Sequence, residues 1–529
     1  MQNLATQLPG LYFQVQPPTT ESTPLRTDIA GFLGTTQRGP LGEAVRVEGW
    51  RQYLSVFGGL IKEADTPYAI RGYFENGGEV AYVVRLLGVP ESGEVFAHGE
   101  WIVGKVDAMS GGWNPMAPGG GGFQAASYKV RAATPGTSAN GTNVLFRYRL
   151  RGTNGQPQVD IEVRPRQEAP EYIGNLSPIN LAEAVAERSQ LVRLEALTPA
   201  PDPGVVGPLT LYWEPVELSG AKEDVPTQTD YAQGLARLGD QREIALLVAP
   251  DLYRMAGNDG QKNQVLAMLV AQAETLHDRQ VLAAPPPELR AAEDVALWVR
   301  DRRLELSGEG ARSLSIYHPS VRVPDLLGGI AAPLRDISPL GHVAGVVSRL
   351  DRERGSHHTP ANANLYEAVD VALSYDQNEL GVLSESGVNP LRCFPGRGLQ
   401  VWGGRTATDP AVDRNGLFVA HRRLIHRLVR AIRRVAEPLV FDSNGPGLWL
   451  TLVRAVTTVL LEAYRAGALK GERPEEAFRV RCDENTNPPE EQDLGRVLCE
   501  IEVAPAAPME FITLRIAVSA EGRLEVIES

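Results

Sequence analysis

Only three cysteines, Cys393, Cys482 and Cys499, occur in 529 residues. Their wide spacing and odd number fit neither a disulfide framework nor a zinc site, and they point to synthesis in a reducing compartment. Catalytic signatures are missing too: no Walker A loop, G-x-G-x-x-G turn, H-E-x-x-H helix or G-x-S-x-G elbow appears. The glycine-rich stretches do not replace them. "SGGWNPMAPGGGGF" (110–123) lacks the Gly-Lys-Ser/Thr ending of a phosphate loop and reads as a flexible connection. "FPGRGLQVWGG" (394–404) reads as a tight turn closing onto a strand. His357 and His358 are neighbours in sequence, so they diverge on a helix and oppose each other on a strand, a poor metal pair. The acids of "CDENTNPPEEQD" (482–493) lack the glycine of a calcium loop and are interrupted by two prolines. No catalytic residue, cofactor or metal is expected.

Membrane signals are equally sparse. The opening "MQNLATQLPG" has neither the basic start nor the apolar run of a signal peptide. The most apolar long stretch, 448–467, carries Arg454 near its middle and Glu462 beyond, so a packed amphipathic helix is expected there and no membrane insertion. What is present is an ordinary globular composition, 43% hydrophobic and 22% charged, with length for two to four domains. A formal charge of −13 argues against a nucleic-acid binder as a whole, though not against one local basic patch.

Such a patch exists. Between His421 and Arg434, "HRRLIHRLVRAIRR" holds six arginines and no acid. On a helix Arg422, Arg423, His426, Arg427, Arg430, Arg433 and Arg434 fall within an arc of roughly 140°. Leu424, Ile425, Leu428, Val429, Ile432 and Val435 fill most of the opposite side, and His421 lands among them as a packed histidine. Four readings fit the basic face: nucleic acid, an anionic membrane, an acidic protein, or a solvated face balanced by acids elsewhere.

Along the chain, residues 1–26 form an arm with one short strand. Its Leu11, Phe13 and Val15 point to one side, and Tyr12 and Gln14 to the other. With no partner nearby in sequence, this strand must pair with something distant. Residues 27–94 begin an α/β core, and 95–225 change to short alternating β runs with one helix, an inserted β-rich domain. From 226 to 386 strands alternate with helices, which implies parallel βαβ units. The last domain, 387–529, holds the basic helix 418–436, the helix at 448–467 and several strands. It closes on a short terminal strand containing Leu524, Glu525, Val526 and Ile527. The fold class is thus a multidomain α+β and α/β protein.

Several stretches resemble the tail sheath family of contractile phages, phage-like bacteriocins and contractile injection systems. They are "TDIAGFLGTTQRGPLGEAVRVEGWRQYLSVFGG", "YAIRGYFENGGEVAYVVRL", "GHVAGVVSRLDRERG" with "TPAN", "GVNPLRCFPGRGLQVWGGRT", "RRLIHRLVRAIRRVAEPLVFD", and "FRVRCDENTNPPEEQDLGRVLCEIEVAPAAPMEFITLRI". With "NLSPINLAEAVAERSQLVRL" of the inserted domain, they run through most of the chain in the family's order. His357-His358 stand where an aromatic–basic pair would be expected, and "FDSNGPGLW" carries extra glycine.

The resemblance implies a structural subunit rather than an enzyme, assembled in the bacterial cytoplasm into a phage tail or tail-like particle. It implies a homo-oligomer of stacked six-fold rings around an inner tube with an acidic outer surface, meeting baseplate and terminator proteins, with no direct contact to nucleic acid. Strands 11–15 and 524–527 would complete the C-terminal sheets of neighbouring subunits. The basic face, Arg422, Arg423, His426, Arg427, Arg430, Arg433 and Arg434, would grip the tube. Two other readings remain. A soluble α/β enzyme would carry a deep polar pocket at the strand ends of 244–318, and a nucleic-acid binder would use the helix at 418–435.

Overall fold

The computed structural model describes residues 25–102, 127–150, 158–166, 169–177, 180–197, 209–212, 215–330, 332–506, 512–518 and 524–528. The arm strand 11–15 and the glycine loop 110–123 lie outside them.

At the centre is a nine-stranded sheet. Its order is Ala363–Asn364, Gly398–Val401, Val388–Phe394, Leu314–His318, Gln280–Ala283, Leu246–Val248, Ala30–Gly34, Ala81–Arg85 and Val45–Val47. The six strands from Val388–Phe394 to Ala81–Arg85 run parallel, and the outer ones join antiparallel. Runs such as "AGFLG", "AYVVR" and "LSIYH" are buried at every position because helices cover both faces. Gln228–Gly239, Asp259–Leu276 and Ala292–Glu305 pack on one face, and Thr66–Glu75 and Leu340–Arg354 on the other. Capping boxes at Thr227/Asp230 and Asn258/Gln261 start two of these helices. The last pair cross so closely that a Cβ on Gly341 would sit 2.0 Å from the Ala69 carbonyl oxygen.

The inserted domain is a pair of antiparallel sheets. His98–Ile102, Ser127–Ala132 and Val192–Ala196 form one; Leu209–Tyr212, Asn143–Leu150, Gln158–Arg164, Glu171–Leu176 and Val216–Glu217 form the other. They share a core in which Trp101 stacks on Phe146 at 3.8 Å between ring centres, capped by the helix Leu181–Arg188.

The C-terminal part divides differently from the sequence reading. Val388–Phe394 and Gly398–Val401, expected beyond a boundary at 387, join the central sheet instead. A separate module begins at the helix Val419–Ala436, here called the arginine helix. Helix Pro446–Arg465 and a four-stranded sheet, Phe478–Arg481, Val497–Val503, Ile512–Val518 and Leu524–Glu528, complete it. Pro446–Arg465 is long and apolar enough to cross a membrane. In the fold its Trp449, Leu452, Val456 and Leu460 pack against the arginine helix and the sheet, while Arg454 and Glu462 face solvent.

Candidate functional site

The arginine helix is buried on both sides. Leu424, Ile425, Leu428, Val429 and Ile432 fill the core of the C-terminal module, as the apolar stripe dictates. The opposite, cationic side lies against the α/β core. Arg422, Arg423, His426 and Arg430 are all less than a tenth exposed. Arg423 makes a two-pronged pair with Asp351 of Leu340–Arg354, at 2.5 and 2.6 Å, and also donates to the Thr27 carbonyl at 2.8 Å. Arg430 donates to three backbone carbonyls, Arg26 at 2.7 Å, Arg242 at 2.7 Å and Ile244 at 2.6 Å. Arg433, half-buried, reaches Asp278 at 3.2 Å and the Leu276 carbonyl at 2.6 Å, and Arg422 approaches the Ser313 hydroxyl at 3.4 Å.

This corrects the expectation that the whole basic face is displayed. In the folded subunit Arg422, Arg423, His426 and Arg430 are sealed inside, and only Arg434 is exposed, with Arg427 half-buried. The physical reason is the shape of the interface. Strand ends and helix ends of the core turn backbone carbonyls toward this helix, and planar guanidinium groups satisfy several such acceptors at once. The choice of cation gave no signal in the sequence, because 46 of the 52 Lys and Arg residues in the whole chain are arginine. Arginine is nonetheless the cation suited to burial against several acceptors.

The electrostatics follow from that burial. Burial pulls the Arg430 guanidinium down to about 10, opposed by Asp278 and aided by the neighbouring arginines. It pulls Arg433 down as well. His426 is held far below its ordinary value by burial, with Arg422 and Arg423 adding repulsion, so it stays neutral. Burial pushes the Asp351 carboxyl up against the opposing pull of Arg423. Such a pair adds little net stability over apolar packing, but losing one partner strands the other.

Two of the carbonyls held by this helix, on Arg26 and Thr27, lie at the first of the described residues. Asp28 beside them is bound by Arg26 and by Arg352. Residues 26–28 are therefore clamped by both modules.

A second position bears on the enzyme reading. Strand order reverses direction around Ala30–Gly34, where open α/β sheets bind ligands beyond the strand ends. Here the Asp251 carboxylate fills that place. It accepts from Thr35 N at 3.1 Å, Asp65 N at 2.5 Å, Thr66 N at 3.2 Å and the Thr66 hydroxyl at 2.6 Å. The N-terminus of Thr66–Glu75, which would attract a ligand's anion, is occupied by the protein's own acid. Burial and the nearby Asp65 raise Asp251 to about 6. Gly34 is required alongside, because a Cβ there would meet the Thr66 hydroxyl at 1.8 Å.

The terminal strand is also placed. Leu524–Glu528, carrying Leu524, Glu525, Val526 and Ile527, pairs antiparallel with Ile512–Val518 of its own chain, with Leu524 opposite Val518 and Glu528 opposite Leu514. Its expected role in a neighbour's sheet is thus not the pairing seen in the single subunit. Phe478–Arg481 and Leu524–Glu528 are left as the two edges of the sheet.

Comparison with known proteins agrees with this architecture. Residues 224–407 match the central domain of the phage tail sheath protein family and 412–519 match its C-terminal domain. The tail sheath protein of Burkholderia phage BcepMu is 26% identical over 213 residues, covering 39% of this chain and 43% of that protein. The chain thus spans less than half the length of that relative. Among solved structures, the helical sheath of the anti-feeding prophage in its contracted state aligns over 96% of this chain and 98% of its own, at 19% identity and a TM-score of 0.55. A sheath tail protein of Listeria innocua aligns over 94% and 96%, at 12% identity and a TM-score of 0.63. With both family domains matched in order over more than half its length, the chain belongs to the phage tail sheath family, a family of structural tail components.

Proposed function

We propose that the chain is the repeating subunit of a contractile sheath, stacking as six-fold rings around an inner tube and driving that tube forward when the lattice shortens. The observation that carries this reading is the co-linear match of both sheath domains onto a subunit whose modules are joined through buried arginines. A sheath must transmit force through each subunit without unfolding it. Here the C-terminal module, the α/β core and the root of the arm meet at one interface.

The two edges of the C-terminal sheet suit addition of a strand from a neighbouring copy. Residues 11–15 of an adjacent subunit supply it, and residues 524–527 exchange in the same way once a lattice forms. Five or six backbone hydrogen bonds at about 0.5–1.5 kcal/mol each make such a link worth several kcal/mol. Repeated around a ring, these links hold the lattice together while the bodies reorient. No hydrolysis is needed if contraction is a downhill change between two packings of one subunit.

The contact with the tube falls to the exposed part of the arginine helix, Arg434 and Arg427, with Arg433 at the margin. Exposed ion pairs of about 0–1 kcal/mol, screened by salt, suit a hold that must release all round. The test is co-sedimentation of sheath and tube with R427E/R434E. Sheath polymers are expected to form while tube is lost from the pellet; tube retained at low salt would defeat the assignment of these residues. Deleting residues 1–16 tests the arm, and should leave a folded monomer that does not polymerise.

A further inference from the structure

Two of the three widely spaced cysteines meet in the fold. Phe478–Arg481 pairs antiparallel with Val497–Val503, with Phe478 opposite Val503, Arg479 opposite Glu502, Val480 opposite Ile501 and Arg481 opposite Glu500. One step further along the same register sets Cys482 opposite Cys499. Alternation fixes the side: Phe478, Val480 and Cys482 fall on one face, and Cys499, Ile501 and Val503 on the buried face across from it. Both thiols belong to the core of the C-terminal module, Cys499 1% exposed and Cys482 9% exposed at its rim. Cys393, exposed at the central sheet, lies in a different module.

The segment that carries Cys482 past its strand end is held in place. Asn487, fully buried, donates to the Leu498 carbonyl at 3.0 Å and to the Cys482 sulfur at 3.6 Å, and accepts from Leu498 N at 2.6 Å. The Asp483 carboxylate accepts from Asn485 N at 2.8 Å and Thr486 N at 3.2 Å, which closes the turn. Directly opposed residues of an antiparallel pair have Cα atoms about 4.5 or 5.5 Å apart, and a disulfide accepts about 4.4–6.8 Å. The backbone is thus already within reach of a link.

The two sulfurs are not equivalent. The hydrogen bond between them lowers Cys482, with help from Asn487 and against burial, while the same bond together with burial pushes Cys499 up. Cys482, at the rim, is therefore the sulfur that becomes a thiolate and meets an oxidant first.

We propose that Cys482 and Cys499 are a redox pair, which a small peroxide joins by a disulfide that ties the edge strand Phe478–Arg481 to Val497–Val503. The Cys482 thiolate attacks one peroxide oxygen and the O–O bond breaks. Cys482 becomes a sulfenic acid, and the departing hydroxide takes up the proton that Cys482 released. The Cys499 sulfur then attacks the Cys482 sulfur and the S–O bond breaks, its hydroxide leaving with the Cys499 proton as a second water. Two thiols lose two electrons, and one hydrogen peroxide is reduced to two waters. The link closes residues 483–498 into a covalent loop, which restricts the unfolded chain more than the folded one and so stabilises the module. It needs no sheath lattice, and synthesis in a reducing compartment leaves it open until the protein meets oxidant.

The experiment treats full-length wild type, C393S, C482S and C499S, each reduced beforehand, with a slight molar excess of hydrogen peroxide. Free thiols are then alkylated, peptides are mapped by mass spectrometry, and thermal unfolding is followed before and after treatment. Wild type and C393S are expected to yield one peptide pair joined through Cys482 and Cys499 with the loss of two hydrogens. Their thermal midpoint is expected to rise by about 3 °C or more and to return with dithiothreitol. C482S and C499S should show neither change. The wild-type peptides are read without any substitution, so a serine variant that fails to fold does not obscure the result. Cys482 and Cys499 still open to alkylation in treated wild type, oxygen gained on Cys482 without a link, or a link that leaves the midpoint unchanged each overturns the proposal.

Discussion

Arg423 and Asp351 show at the smallest scale how this subunit is held together. Their pair is fully enclosed, so replacing either alone by alanine leaves a buried charge and should cost about 3–5 kcal/mol, read as a lowered denaturation midpoint in urea. R434A, at an exposed position of the same helix, should change stability by less than about 0.5 kcal/mol. Histidines set the response to acid. Burial holds His342 and His318 near 4, below their ordinary 6.5, and lowers His426 in the same direction. The unfolded chain takes up protons near pH 6.5 while the fold does not, so stability is complete above 6.5 and falls as pH drops toward 4. Asp251, raised to about 6, opposes this, since its carboxyl protonates first in the folded state. Asp351, also raised, acts in the same sense as Asp251. The three histidine shifts outweigh the two carboxylates, and unfolding curves at pH 6.5 and 4 should show a net loss of stability at the lower pH.

Among the elements, the pairing of Thr66–Glu75 with Leu340–Arg354 depends on glycine. G341A would drive a methyl group into the Ala69 carbonyl, and a loss of about 1–3 kcal/mol or more should appear in thermal unfolding. The arginine helix explains where reading from sequence succeeds and where it stops. Its length, its apolar stripe and the packed His421 were all legible, because period 3.6 is a local property. What the cationic side faces was not, because the acceptors are carbonyls of Arg26, Thr27, Arg242 and Ile244, far away in the chain and invisible in any side-chain pattern. The alternating βαβ rhythm of 226–386 was readable for the same local reason. The transfer of Val388–Phe394 and Gly398–Val401 to the central sheet was not, since an antiparallel hairpin looks alike in either module.

For the whole molecule, modules are joined by charge and hydrogen bonding rather than by a continuous apolar core. The C-terminal cluster around Val429 and Val456 is separate from the two clusters that line the central sheet. Removing the guanidinium contacts should therefore uncouple the modules before it melts them. R423A/R430A is expected to unfold in two thermal steps where the wild type shows one, by differential scanning calorimetry. The same variant should polymerise poorly, because the arm root and the C-terminal sheet edge would no longer be held in fixed relation.

The most direct measurement is negative-stain electron microscopy of the purified, concentrated full-length protein. Hollow cylinders with a helical surface lattice are the predicted result. Discrete single particles at every concentration and salt, from a chain with both termini intact, would contradict the sheath assignment.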